Sequence, residues 1–187
     1  MMRRGMVEQK GNSVNGLMVR CWLAVVMICL MTAIPAASSE GDWRQAVGPW
    51  SWSFPRDHGS HREFRTEWWY FTGNLTGDNG GPYGYQLTFF RQGIRRNRSE
   101  DGNRWTAGDI YLAHFALTDG KGGKFWHFDR SLRAGPGLAG SAEGQMNVWA
   151  LTWSAGLDKE GIRLKAHQKV VAIDLRLTPK KPLVLHG

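Results

Sequence analysis

The run FPRDHGSHREFRTEWWYFTGNL, Phe54 to Leu75, gathers Asp57, His58, His61, Glu63 and Glu67 into one short stretch of chain. Imidazoles and carboxylates together suit either metal ligation through nitrogen and oxygen or acid/base chemistry. His58 and His61 form H-x-x-H in a loop, without the fixed geometry that a helix gives H-E-x-x-H. Acid/base chemistry is therefore preferred, and no metal or other cofactor is expected. A carboxyl set beside apolar rings can keep its proton near neutral pH and act as an acid. Glu67, followed by Trp68 and Trp69, is the candidate for that role, with Asp57, His58 and His61 as further proton handlers. A second account fits the same residues: a structural Glu67 held by Arg62 or Arg65, in a loop whose polar groups pin the first strand.

The aromatic residues around this run supply an apolar wall. Trp68, Trp69 and Tyr70 follow Glu67 directly, and Tyr85, Tyr111 and His114 recur further along, so these six are expected to line a ligand space. Aromatic rings bury roughly 150–250 Å² each and fill cores, and they also steady cations through their quadrupoles. His114, in an otherwise apolar run, equally suits a satisfied interior histidine.

These residues must be positioned by strands. EWWYFTGNL (Glu67 to Leu75), the turn cluster TGDNGGP and YGYQLTFFRQ (Tyr83 to Gln92) read as a hairpin with a Gly-bearing loop. DIYLAHFALTD (109–119), GKGG and KFWHFDR (124–130) read as a second, and VWALTWSA (148–155), GLDKEG and IRLKAH (162–167) as a third. KVVAIDLRLTP (169–179) adds a strand, and residues 42–64 read as an extended lead-in. Seven strand-like runs with no helical stretch after the N-terminal segment predict an all-β antiparallel barrel or sandwich. Alternation sets Trp69, Phe71 and Leu75 on one face of the first strand and Trp68, Tyr70, Thr72 and Asn74 on the other. Neither face is plainly polar, which suits a barrel whose lumen receives a ligand. IRLKAH alternates cleanly, with Ile162, Leu164 and Ala166 inward.

Arg3, Arg4, Lys10 and Arg20 precede an apolar run from Trp22 to Ile34, followed by Pro35, Ala36 and Ala37. That order is a secretory signal peptide over residues 1–37, and the run is shorter than the roughly 20 residues that span a bilayer. The expected location is secreted or periplasmic, with membrane anchorage if the segment stays uncleaved. Cleavage would lower the net charge from +8 to near +5 and remove Cys21 and Cys29. A mature chain without cysteine has no disulfide, thiol nucleophile or Cys-ligated zinc, and must be held by its core.

Other patterns carry less. RQGIRRNR, with Arg91, Arg95, Arg96 and Arg98, reads as a solvated loop, with anionic lipid headgroups as its minority partner. Nucleic acid is not an expected partner for an exported chain. GPGLAG (135–140) fits G-x-G-x-x-G literally, but no helix follows to receive a pyrophosphate, and no G-x-S-x-G elbow occurs.

FPRDHGSHREFRTEWWYFTGNL, with GYQLTFFRQGI, DIYLAHFALTD, SLRAGPGLAGS and VWALTWS, closely resembles the N-terminal part of the lipocalin-like family that includes carotenoid 1,2-hydratase and the AttH-like predicted secreted hydrolases. The likeness runs from about Trp50 to Gly187. It implies two tandem lipocalin-like β domains, no obligatory metal or nucleotide, and, for the hydratases, addition of water to the terminal double bond of an acyclic carotenoid. Members are about twice this length, so the resemblance implies that residues 38–187 are a single N-terminal domain, with an incomplete barrel and without acid residues drawn from a second half. The expected function is hydration or hydrolysis of a hydrophobic, carotenoid- or lipid-like substrate by acid/base catalysis. A non-catalytic carrier of a hydrophobic molecule and a non-functional remnant are the alternatives.

Overall fold

The computed structural model describes residues 43–95, 108–135 and 137–184. The chain divides into two units, Met1–Gly41 and Asp42–Gly187, and every element below belongs to the second. The expected signal segment, with both cysteines, lies outside the described residues, as do Arg96 and Arg98 of the basic run.

Aromatic and β-branched alternation between turn clusters produces nine strands among the described residues. β1 (Thr66–Thr76), β2 (Pro82–Gly93), β3 (Asp109–Asp119) and β4 (Lys124–Arg133) form one antiparallel sheet in sequence order. β5 (Ala139–Ser141), β6 (Asn147–Ala150), β7 (Trp153–Asp158), β8 (Gly161–Gln168) and β9 (Val171–Leu177) form a second in the same manner. The two sheets remain separate and open, giving the incomplete lipocalin-like sandwich expected from sequence. The β3–β4 turn shows why GKGG works: Asp119 Oδ1 accepts from the N–H groups of Lys121 and Gly122, and Gly123 takes φ +62°.

Two local expectations are corrected. VWALTWSA is itself a hairpin, with Ala150 opposite Trp153 across a two-residue loop of Leu151 and Thr152. Leu151 adopts φ +54° without glycine's freedom, and its N–H donates to Leu138 O at 2.7 Å. GPGLAGS supplies β5, whose small residues matter because the Trp149 ring lies directly over Gly140 and its Nε1 donates to Gly137 O at 3.1 Å.

Alternation decides the faces. Trp69, Leu87, Phe89, Tyr111, Ala113 and Phe115 of the first sheet face Val148, Ala150, Trp153, Ala155, Leu164 and Ala166 of the second. Phe115 meets Trp153 edge-on at 5.7 Å, and Tyr111 joins Ser141 by a 2.8 Å hydrogen bond between the sheets. Each fully buried large apolar side chain here contributes roughly 1.5–3 kcal/mol. Arg130 of β4 closes one side: its guanidinium lies 3.9 Å over Trp153, and it donates to Ala150 O and Gln168 Oε1. The inward alternation of β8 is as expected. The opposite face of the first sheet is solvent, however: Trp68 is 66% and Tyr70 54% exposed, and Leu112 and His114 share that side. The expectation that neither face of β1 is plainly the solvent face is corrected, because nothing among the described residues covers this one.

Candidate active site

The site begins with the short 3-10 turn Arg56–His58, which brings Asp57 back over its own loop. Ser53 N–H donates to Asp57 Oδ2 at 2.7 Å, Trp50 Nε1 to the same oxygen at 3.4 Å, and Arg56 Nε to Oδ1 at 2.8 Å. The Arg56 hydrogen bond, helped by those of Ser53 and Trp50, holds the Asp57 carboxyl well below the usual carboxylate range against the opposing effect of burial. The loop is then fastened to the second sheet. Ser60 donates from N–H and Oγ to Ala142 O, at 2.8 and 3.2 Å. Gly59 lies so close to the backbone of Gly144 and Gln145 that a Cβ would sit 2.7–2.8 Å from their nitrogens.

This anchoring sets His61 between two acids. Its Nδ1 lies 3.1 Å from Glu67 Oε1, which also accepts the His61 backbone N–H, and its Nε2 lies 3.5 Å from Asp57 Oδ1. The second Glu67 oxygen accepts Arg91 Nε at 2.8 Å. Glu67 and Arg91 are direct cross-strand partners in the β1–β2 register, both on the inward face. Arg91 is wholly buried, and its remaining donors go to Asp109 Oδ1 and to the carbonyls of His61 and Phe64. Asp109 in turn accepts Arg62 Nη1 at 3.1 Å, and Arg62 Nε reaches Glu143. Buried charges are tolerable only when paired in this way.

His58 sits apart from that chain of ion pairs. Its ring packs on Phe54 at 4.5 Å, and its carbonyl accepts Trp69 Nε1 at 3.0 Å. Burial pushes its imidazole below the ordinary histidine value, with Asp57 opposing.

Asp57, His58, His61 and Glu67 all line one cleft of about 460 Å³, within the roughly 300–1,000 Å³ of small-molecule sites. Its apolar wall is Trp50, Trp52, Phe64, Trp68 and Trp69, and Met146 reaches it from the second sheet. The lead-in of residues 44–52 thus forms one side of the cleft. Its density of Trp and Pro was the available sign.

The four proposed proton handlers therefore come together, with Trp68 and Trp69. The other four proposed wall residues do not join them. Tyr85 is buried against Gly73, Tyr111 is buried and bonded to Ser141, and Tyr70 and His114 lie on the solvent side of the first sheet. The parity of their strands sends them into the core or outward. Burial lowers the acidity of both buried tyrosines. Glu67 is held by Arg91 instead of the expected Arg62 or Arg65, and Arg91 is a core cation and no part of a solvated loop. Its position after Tyr85, Leu87 and Phe89 at alternate residues was the signal. Glu63 contributes its backbone carbonyl to Arg44 N–H. Among the described residues no group of three or more His, Cys, Asp or Glu side chains is arranged to hold a metal ion.

The AttH-like family model matches residues 45–187. The chain belongs to the AttH-like family. It is similar to the crystal structure of a Nitrosomonas europaea protein provisionally named AttH, with 32% sequence identity and a TM-score of 0.64. That match covers 77% of this chain and 42% of the other, so the AttH-like chain spans about two fifths of the length of that structure. No curated protein matches it. The matched segment contains the cleft's Asp57–His61 loop, β1 and the second sheet.

Proposed function

We propose that this AttH-like chain binds an apolar small molecule in the cleft and performs acid/base chemistry on it, as a hydratase or a hydrolase of a lipid- or polyene-like substrate. The observation that supports this is the seating of His61 between Glu67 and Asp57 on a cleft wall of indole and phenyl rings. Both oxygens of each acid are already engaged, so the imidazole is the group that exchanges a proton, and Glu67 orients it, the two forming a base–orienter pair. In hydration the protonated His61 imidazole would give its proton to one alkene carbon, the rings would shield the cation on the other, and water would add there and return a proton to the imidazole. In hydrolysis the imidazole would take a proton from water attacking an ester carbonyl and pass it to the leaving alkoxide. The signal-like order of residues 1–37 supports action outside the cytoplasm.

The full occupancy of the Asp57 and Glu67 oxygens favours a second reading, a carrier without turnover. Turnover of p-nitrophenyl laurate and of lycopene by the full chain, compared with His61→Gln and Glu67→Gln, separates the two. Catalysis predicts a loss of about 10²-fold or more in His61→Gln. Saturable binding of lycopene with no product from either probe would leave the carrier.

A further inference from the structure

The cleft is unevenly charged, and among the described residues one cation lining it, Arg44, has no counter-ion. Each acid on the wall has its own guanidinium: Asp57 is paired with Arg56 and Glu67 with Arg91, both at 2.8 Å. Arg44 also lines the cleft. Its guanidinium lies 4.7 Å over the Trp50 ring and 5.6 Å over Phe64, and its side chain makes no ion pair or hydrogen bond among the described residues. Stacking occupies the flat face of a guanidinium and leaves its five N–H donors pointing outward in the plane, the fork that receives a carboxylate. The same cleft is lined by the apolar side chains of Val47, Pro49, Trp52 and Trp68.

We propose that the cleft takes a single-chain carboxylate amphiphile, a long-chain fatty-acid anion, with Arg44 receiving the head group and the aromatic wall receiving the chain. The inference rests on the reading of the cleft as the ligand site and adds the charge and shape class of what enters it. The stacked rings hold the guanidinium in place before the ligand arrives, so little side-chain freedom is lost on binding. A neutral ligand would leave the fork solvated and gain only the apolar contacts.

The test titrates the intrinsic tryptophan fluorescence of the full chain with oleate and with oleyl alcohol, each below its aggregation concentration. Trp50 and Trp52 report directly from the wall. Oleate should bind about tenfold more tightly than the alcohol, the scale of one charge-assisted hydrogen-bonded pair. Raising the salt concentration should narrow that gap. Arg44→Gln should bring oleate down to the affinity of the alcohol, and Arg44→Lys should restore part of the difference. Equal affinity for the two chains in the unaltered protein would overturn the inference and leave the cleft as a ligand site. Failure of both to bind would overturn both readings. The comparison of head groups needs no variant, so it holds even where Arg44→Gln perturbs the loop.

Discussion

Glu67 and Arg91 stand directly opposite one another on neighbouring strands, Oε2 to Nε at 2.8 Å, with the arginine wholly removed from water. The pair joins the cleft to the core, because Glu67 also orients His61 and Arg91 also binds Asp109 and two loop carbonyls.

Arg91→Met should therefore cost about 3–5 kcal/mol in urea unfolding, since it strands Glu67 as a buried acid without its guanidinium and takes one of the partners of Asp109 away. Arg91→Lys should recover little, because one ammonium cannot reproduce a fork that serves four acceptors. The double variant Arg91→Met, Glu67→Gln should be less destabilised than the sum of the single ones. A loss below about 1 kcal/mol for Arg91→Met would contradict a compensated network.

Acid should weaken the fold in two overlapping stages. His58 has a lowered folded value, so below its ordinary value of about 6.5 the unfolded chain takes up a proton first, and its contribution is lost as pH falls. Asp57 also has a lowered folded value, so its contribution is full above about pH 4 and is lost below that. Urea midpoints measured from pH 8 to pH 3 should fall less steeply in the upper range for His58→Gln and in the lower range for Asp57→Asn. Curves parallel to that of the unaltered protein would refute both assignments.

Two glycines should respond with opposite signs. Gly59→Ala forces a methyl to within 2.7–2.8 Å of two backbone nitrogens that cannot rotate away, and should cost about 1–3 kcal/mol. Gly84→Ala meets only Thr118 at 3.7 Å and should be neutral or stabilising by up to about 1 kcal/mol. Thermal melts of the two variants side by side decide it; equal shifts would mean that the 57–60 loop does not sit against the second sheet.

The strands were legible because their apolar alternation is strong and most turns carry Gly, Asn or Asp. The break at Leu151 was hidden because that turn is built from Leu and Thr, and β5 was hidden because Ala, Gly and Ser have no strand signal of their own. The acids and histidines of the cleft stood out by their density. Their partners did not: Arg91 is 24 residues from Glu67, which strand pairing brings together, and Asp109 is 47 from Arg62, which the folding of the loop back over the sheet brings together. Tyr85 and Tyr111 were misplaced for a related reason. A tyrosine reads the same on either side of a core, and only the neighbouring sheet decides which side is full.

The seam between Ser60 and Ala142 spans 82 positions of chain. A polypeptide emerging from the ribosome N-terminus first could pair its opening strands long before that seam closes. The loop that carries its histidines would lack this fastening until the β5–β6 corner arrived, so the pocket wall is completed by chain made well after its own acids and imidazoles.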